Sequence, residues 1–226
     1  MAETEELQAV QHFAERVENF VEENKQAVAI GAGALVVIIA ASLFVFLKWL
    51  PERNLKAQRE IFMAEIAFQK DSFNLALNGN GVNKGFLEVQ KKYGWTKAAN
   101  LCNYYIGICY LNTGKYADAV TYLDKFSTSD AVLGAAKLNA IGDAYAEQNK
   151  AADAEKYYAK AAGFSDNDQF TPYYLVKLGM YLETQKKFKE AVEQYTKVKE
   201  KYPMSDEGRD IEKYIARTKN RAGSAE

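Results

Sequence analysis

Apolar residues recur at different spacings along this 226-residue chain, and each spacing predicts a different kind of helix. Leu7, Val10, Phe13, Val17, Phe20 and Val21 return every three or four positions with Glu and Gln between them, the stripe of an amphipathic helix ending near Glu23 and Asn24. From Ala27 to Leu47 that alternation stops, and AVAIGAGALVVIIAASLFVFL runs for 21 residues without a charge. At about 1.5 Å per residue, one helix of that length crosses the roughly 30 Å hydrocarbon core of a bilayer. The run is too long and its leader too acidic for a cleaved secretory signal. It closes on Lys48 and Trp49, a pair suited to the membrane–water interface, ahead of Pro51. Ala27 with Gly31, and Ala29 with Gly33, give the span small-xxx-small spacing that admits a second helix.

Helical spacing resumes over residues 54–77 through Phe62, Ile66 and Phe73, and Asn78-Gly79-Asn80-Gly81 breaks it. A short helix over 84–92, with Phe86 and Leu87 apolar and Gly94 as its C-cap, completes a degenerate leading hairpin. Beyond residue 96 the chain matches itself at a period of roughly 34 residues. Ile106-Gly107 is followed by Tyr110, Gly114, Tyr116, Ala119 and Leu123. Ile141-Gly142 is followed by Tyr145, Ala154 and Tyr158, and Leu178-Gly179 by Leu182, Phe188, Ala191, Tyr195 and Pro203. Each glycine, with the alanine twelve residues later, lets two helices approach closely while the large residues fill the space around them. These positions resemble the tetratricopeptide repeat (TPR) family over residues 97–204, although Asn103, Leu138 and Leu175 stand where the family has a first-helix Trp. Ser205 is placed to cap a last helix through Ile211, Tyr214 and Ile215, with Arg217–Glu226 expected as a frayed tail.

The predicted fold class is therefore all-α, a single N-terminal transmembrane helix followed by a TPR-like α-solenoid. Its segments are a leader over 1–26, a span over 27–49, a linker with the leading hairpin over 50–96, three repeats over 97–204, and a cap with tail over 205–226.

Charge adds an asymmetry. The net charge of −1 is made from −5 over residues 1–26 and +3 over residues 51–226, with Lys48 between them. A near-neutral chain of this kind is no nucleic-acid binder. The glutamate-rich leader favours a protein partner over anionic lipid. Lys48, Arg53, Lys56 and Arg59 outnumber Arg16 and Lys25 beside the span, which by the positive-inside rule favours a cytoplasmic C-terminal domain.

Little here supports chemistry. His12 is the sole histidine and has no ligating neighbours. Cys102 and Cys109 are seven apart on one predicted helix, roughly 10 Å between Cα atoms, too far for a disulfide and outside CxxC spacing. Asp166-Asn167-Asp168 lacks the rest of a calcium loop, and phosphate-cradling and nucleophile motifs are missing. The sequence predicts no enzyme, no cofactor and no metal site.

The TPR resemblance instead implies a concave lining from the first helix of each pair: Leu101, Tyr104, Ile108 and Leu111, then Asn139 and Asp143, then Tyr173, Val176, Met180 and Glu183. The chain's own C-terminal helix is an equal contender for covering that lining. Tyr104, Ile108, Val176 and Met180 occupy the places of the Lys/Asn carboxylate clamp of TPR cochaperones, which disfavours that role. The leader and span, in Ala9-Val10-Gln11-His12-Phe13 and Glu22-Glu23-Asn24-Lys25-Gln26-Ala27-Val28-Ala29-Ile30-Gly31, resemble the YfgM-like TPR proteins of the bacterial inner membrane. That resemblance implies an ancillary subunit of the Sec translocon, with its N-terminus cytoplasmic and its TPR domain periplasmic. Its partners would be Sec translocon subunits, a membrane-anchored periplasmic chaperone of the prolyl-isomerase type, emerging secreted chains and membrane lipid. A scaffold of a cell-division or envelope-spanning machine is the alternative. The implied topology opposes the basic flank after the span, and we side with the resemblance.

Overall fold

The computed structural model describes residues 2–224, with side chains from His12 onward except Ala14, and divides after Arg53 into two compact units. Every regular element among the described residues is helical, apart from an isolated bridge between Gly79 and Lys84.

The first unit holds α1 (Ala2–Glu23) and α2 (Lys25–Phe44). No residue of α2 is buried, and this is the one helix among the described residues long and apolar enough to cross a membrane. A wider π-helical turn, Val45–Trp49, follows it. The ring of Pro51 cannot donate to the carbonyl four residues back, and the wider turn absorbs that loss through a bond from the Leu50 N–H to the Val45 carbonyl. The Arg53 guanidinium lies 4.8 Å from the Trp49 ring centroid.

α3 (Leu50–Gln69), whose residues from Asn54 onward open the second unit, buries Ala57, Ile61, Ala64 and Ala67 at helical spacing. The single helix expected over 54–77 is instead two. The chain turns through Asp71, left-handed at φ 55°, and α4 (Phe73–Asn78) folds back so that Phe73 meets Phe68 at 5.8 Å. Aspartate tolerates that backbone region, and apolar residues in phase on both sides hid the turn in the sequence. α5 (Phe86–Tyr93) completes the group, with Phe86 stacked on Tyr105 at 4.8 Å. Glu60 of α3 accepts from Lys84, Lys92 and the Tyr93 hydroxyl at 2.8–3.0 Å. Burial alone would raise its carboxyl, but these donors hold it down at about 2.

Three helical hairpins follow: α6 (Lys97–Asn112) with α7 (Tyr116–Lys125), α8 (Ala131–Glu147) with α9 (Ala151–Ala162), and α10 (Thr171–Thr184) with α11 (Phe188–Lys201). Thr96 caps α6 and Asp130 caps α8, each accepting backbone N–H groups of the first turn. Each hairpin turns on one left-handed residue, Gly114, Asn149 or Lys186. In all three the next lysine N–H reaches back five residues, to Tyr110, Tyr145 and Leu182.

Inside each hairpin the first-helix glycine faces the side chain sixteen residues later. A methyl on Gly107 would lie 2.5 Å from Leu123 Cγ, and one on Gly142 2.8 Å from Tyr158 Cδ1. A methyl on Gly179 would overlap the Tyr195 ring. Ala119, Ala154 and Ala191 are completely buried beside these contacts.

Last comes α12 (Asp206–Gly223), capped by Ser205 Oγ, which accepts the Gly208 N–H at 2.9 Å. The tail expected from Arg217 onward is instead helical to Gly223.

Gly142→Ala tests the hairpin contact, because two effects oppose each other. Helix propensity favours Ala by about 1 kcal/mol, whereas a methyl driven into the Tyr158 ring costs about 1–3 kcal/mol. The expected outcome in urea denaturation is net destabilisation, while Gly163→Ala, whose methyl would meet only the Ala159 carbonyl at 3.5 Å, leaves the midpoint nearly unchanged.

Candidate partner-binding surface

The ten residues expected to line the concave face separate into three groups. Leu101, Tyr104, Ile108 and Leu111 of α6 are half-buried. The last three pack onto Leu123, Ala140 and Ile141 between the first two hairpins, and Tyr104 rests on Phe126 with ring centroids 5.3 Å apart. Burial pushes the Tyr104 hydroxyl above the usual phenol range. This group is more a joint between hairpins than a free surface.

The second group is polar and already engaged. Asp143 of α8 accepts from Asn139 Nδ2 at 3.1 Å, from the Tyr158 hydroxyl at 2.7 Å and from Lys177 Nζ of α10 at 2.7–2.8 Å. Its carboxylate joins α8, α9 and α10. Burial, followed by the bond to Asp143, raises the Tyr158 hydroxyl well above its ordinary value.

The third hairpin corrects the expected lining. Val176 is only 9% exposed and belongs to the core of this hairpin. Glu183 is 3% exposed and accepts from the Tyr195 hydroxyl at 2.7 Å and from Arg217 and Arg221 at 2.6 Å each. A carboxylate beside a buried phenol requires cations, and α12 delivers two of them four residues apart. Burial would raise the Glu183 carboxyl, but the bonds from Tyr195 and Arg217 outweigh it and hold the group below the usual range. Arg217 and Arg221 are therefore structural, and helical spacing carried past Ile215 to the buried Thr218 was the signal for them.

Tyr173 and Met180 remain, 49% and 47% exposed on α10. Seven residues apart, they share one face about 10 Å in length, with Lys177 and its salt bridge between them. The C-terminal helix thus closes over Glu183 and leaves this pair open.

Nothing in this surface is reactive. Cys102 and Cys109 are fully buried and free, and burial pushes both thiols up to about 12. Among the described residues no three His, Cys, Asp or Glu side chains gather as metal ligands do.

Residues 102–129 and 173–205, within the first and third hairpins, match the tetratricopeptide repeat family model. No curated protein matches this chain. The protein is all-helical with TPR repeats and one apolar N-terminal helix suited to a membrane span, and such repeats serve as scaffolds for protein–protein interaction.

The Glu183 cluster fixes a pH dependence. A carboxyl depressed in the folded state contributes stability that is complete above its unfolded value of 4.5 and is lost as pH falls through the folded one. Acid should therefore release α12, seen as faster proteolysis after Arg217 below about pH 4.5, near the unfolded carboxylate value. Removing both guanidiniums with Arg217→Ala and Arg221→Ala should produce the same release at neutral pH. The expected cost is on the order of 2 kcal/mol, below that of a wholly buried pair because both arginines are half exposed.

Proposed function

We propose that this chain is a non-enzymatic, membrane-anchored docking protein, an ancillary subunit of the Sec translocon that holds a periplasmic chaperone or an emerging secreted chain beside it. The observation carrying the docking part is the open pair Tyr173 and Met180 on α10, left uncovered while the polar groups around it are consumed internally. An aromatic and a methionine on a fixed helix suit an apolar peptide segment or the apolar patch of a folded partner. The resemblance of the leader and span to the YfgM-like proteins supports the translocon, the N-terminus-in topology and a membrane-anchored chaperone of the prolyl-isomerase type. Binding needs no cofactor and no bond-making step.

Tyr173→Ala with Met180→Ala should weaken chaperone capture from gently solubilised membranes by roughly thirtyfold, the ratio that a loss on the order of 2 kcal/mol produces. Translocon capture should persist, and replacing residues 27–47 by an unrelated apolar span should weaken that instead. Unchanged capture of the chaperone by the double variant would dismiss α10 as its site.

Topology is checked through Asp168→Cys, at an exposed position in the turn before α10. Since Cys102 and Cys109 are buried, a membrane-impermeant thiol reagent on intact spheroplasts should label this variant and spare the parent chain. Protection until lysis would place the domain in the cytoplasm, as the basic flank favours.

A further inference from the structure

Trp95 is 89% exposed, although tryptophan is among the most buried side chains on average. Its exposure is imposed by its neighbours. Tyr93 on one side is buried and bonded to Glu60, Thr96 on the other is buried and caps α6, and the Thr96 N–H closes the turn on the Tyr93 carbonyl at 2.9 Å. The indole is held outward by a fixed turn.

That turn is fastened to the beginning of α3. The Ala98 N–H donates to Asn54 Oδ1 at 2.9 Å, so the N-terminal end of α6 stays beside Asn54. Asn54 follows Trp49 by five residues. Whatever the angle between the two units, that length of chain reaches no more than about 18 Å. Lys48, Arg53, Lys56 and Arg59 lie within or beside that stretch in sequence, and Lys97 follows Trp95 by two residues. An exposed indole two residues from the exposed Lys97, tethered within a short reach of the end of an apolar span with a basic flank in sequence, has the chemistry of the lipid headgroup region.

We propose that Trp95 is a second interfacial anchor, seated among anionic lipid headgroups, and that it holds the inter-helix turn 94–96 of the soluble domain against the bilayer surface. The occupant of the exposed indole is lipid. This inference depends on α2 crossing the membrane and not on the identity of any protein partner.

The chain has two tryptophans, so Trp49→Phe leaves Trp95 as the sole emitter. The full-length variant would be reconstituted in vesicles of phosphatidylethanolamine with phosphatidylglycerol, carrying lipids brominated either near the headgroup or near the bilayer centre. Trp95 should lose most of its emission to the shallow quencher and little to the deep one, with a blue-shifted maximum and poor access to acrylamide. Emission untouched by either lipid and quenched by acrylamide would put the indole in water and overturn the proposal. Protection from both lipid and acrylamide would overturn it too, by assigning the indole to a protein surface.

The reciprocal variant, Trp95→Phe, tests the premise, because Trp49 alone should also be quenched by lipid. If it is not, the spanning helix itself is refuted. Should Trp49→Phe fail to reconstitute, Trp95→Cys carrying a polarity-sensitive fluorophore repeats the experiment with Trp49 in place, since the native thiols are buried and remain unlabelled.

Discussion

The contact between a first-helix glycine and the side chain sixteen residues later sets the geometry of each of the three hairpins, and much of the helical-repeat domain follows from it. At Gly107 the filling residue is Leu123, which needs no polar partner. At Gly142 and Gly179 it is tyrosine, and a phenol buried that deeply requires an acceptor. The second hairpin supplies Asp143 and the third Glu183, each hydrogen-bonded to its tyrosine at 2.7 Å. The carboxylate in that position is paired with a cation from the helix that follows its hairpin: Lys177 of α10 for Asp143, Arg217 and Arg221 of α12 for Glu183. Close helix approach thereby becomes a connection between one hairpin and the next, and finally a reason for the cap.

This chain of requirements determines what the array can offer a partner. Groups that look like recognition elements, a carboxylate on α8 and another at the end of α10, have their hydrogen-bonding capacity taken up inside the domain. Tyr173 and Met180 are the exposed remainder of the expected lining. Their surface is largely apolar, so on the proposed reading recognition rests on burial and shape.

Much of this was readable from the sequence because periodicity reports local geometry directly. The uncharged run from Ala27 to Leu47 and the recurrence of glycine, alanine and tyrosine each state a packing rule in one dimension. What escaped was non-local. Glu183 reads as solvent-facing until Tyr195 and the arginines, 12 to 38 residues away, are brought to it. For the same reason Arg217 and Arg221 read as a polar tail, their function existing only in the company of a carboxylate on another helix. The break between α3 and α4 was hidden differently, since apolar residues fall in helical phase on both sides of Asp71 and the backbone reversal leaves little trace in composition.

On the proposed reading, membrane anchoring also bears on how strong a docking surface at Tyr173 and Met180 must be. Two exposed side chains on one helix face provide modest affinity in free solution, where association costs several kcal/mol of lost freedom. Confinement by a span changes that reckoning, because partners held in the same membrane meet at effective concentrations that short linkers bring to about millimolar. A weak apolar surface is then sufficient for occupancy and still permits release. On the proposed reading that combination suits a protein which passes secreted chains or their chaperones along, since a tight groove in a tethered domain would retain them.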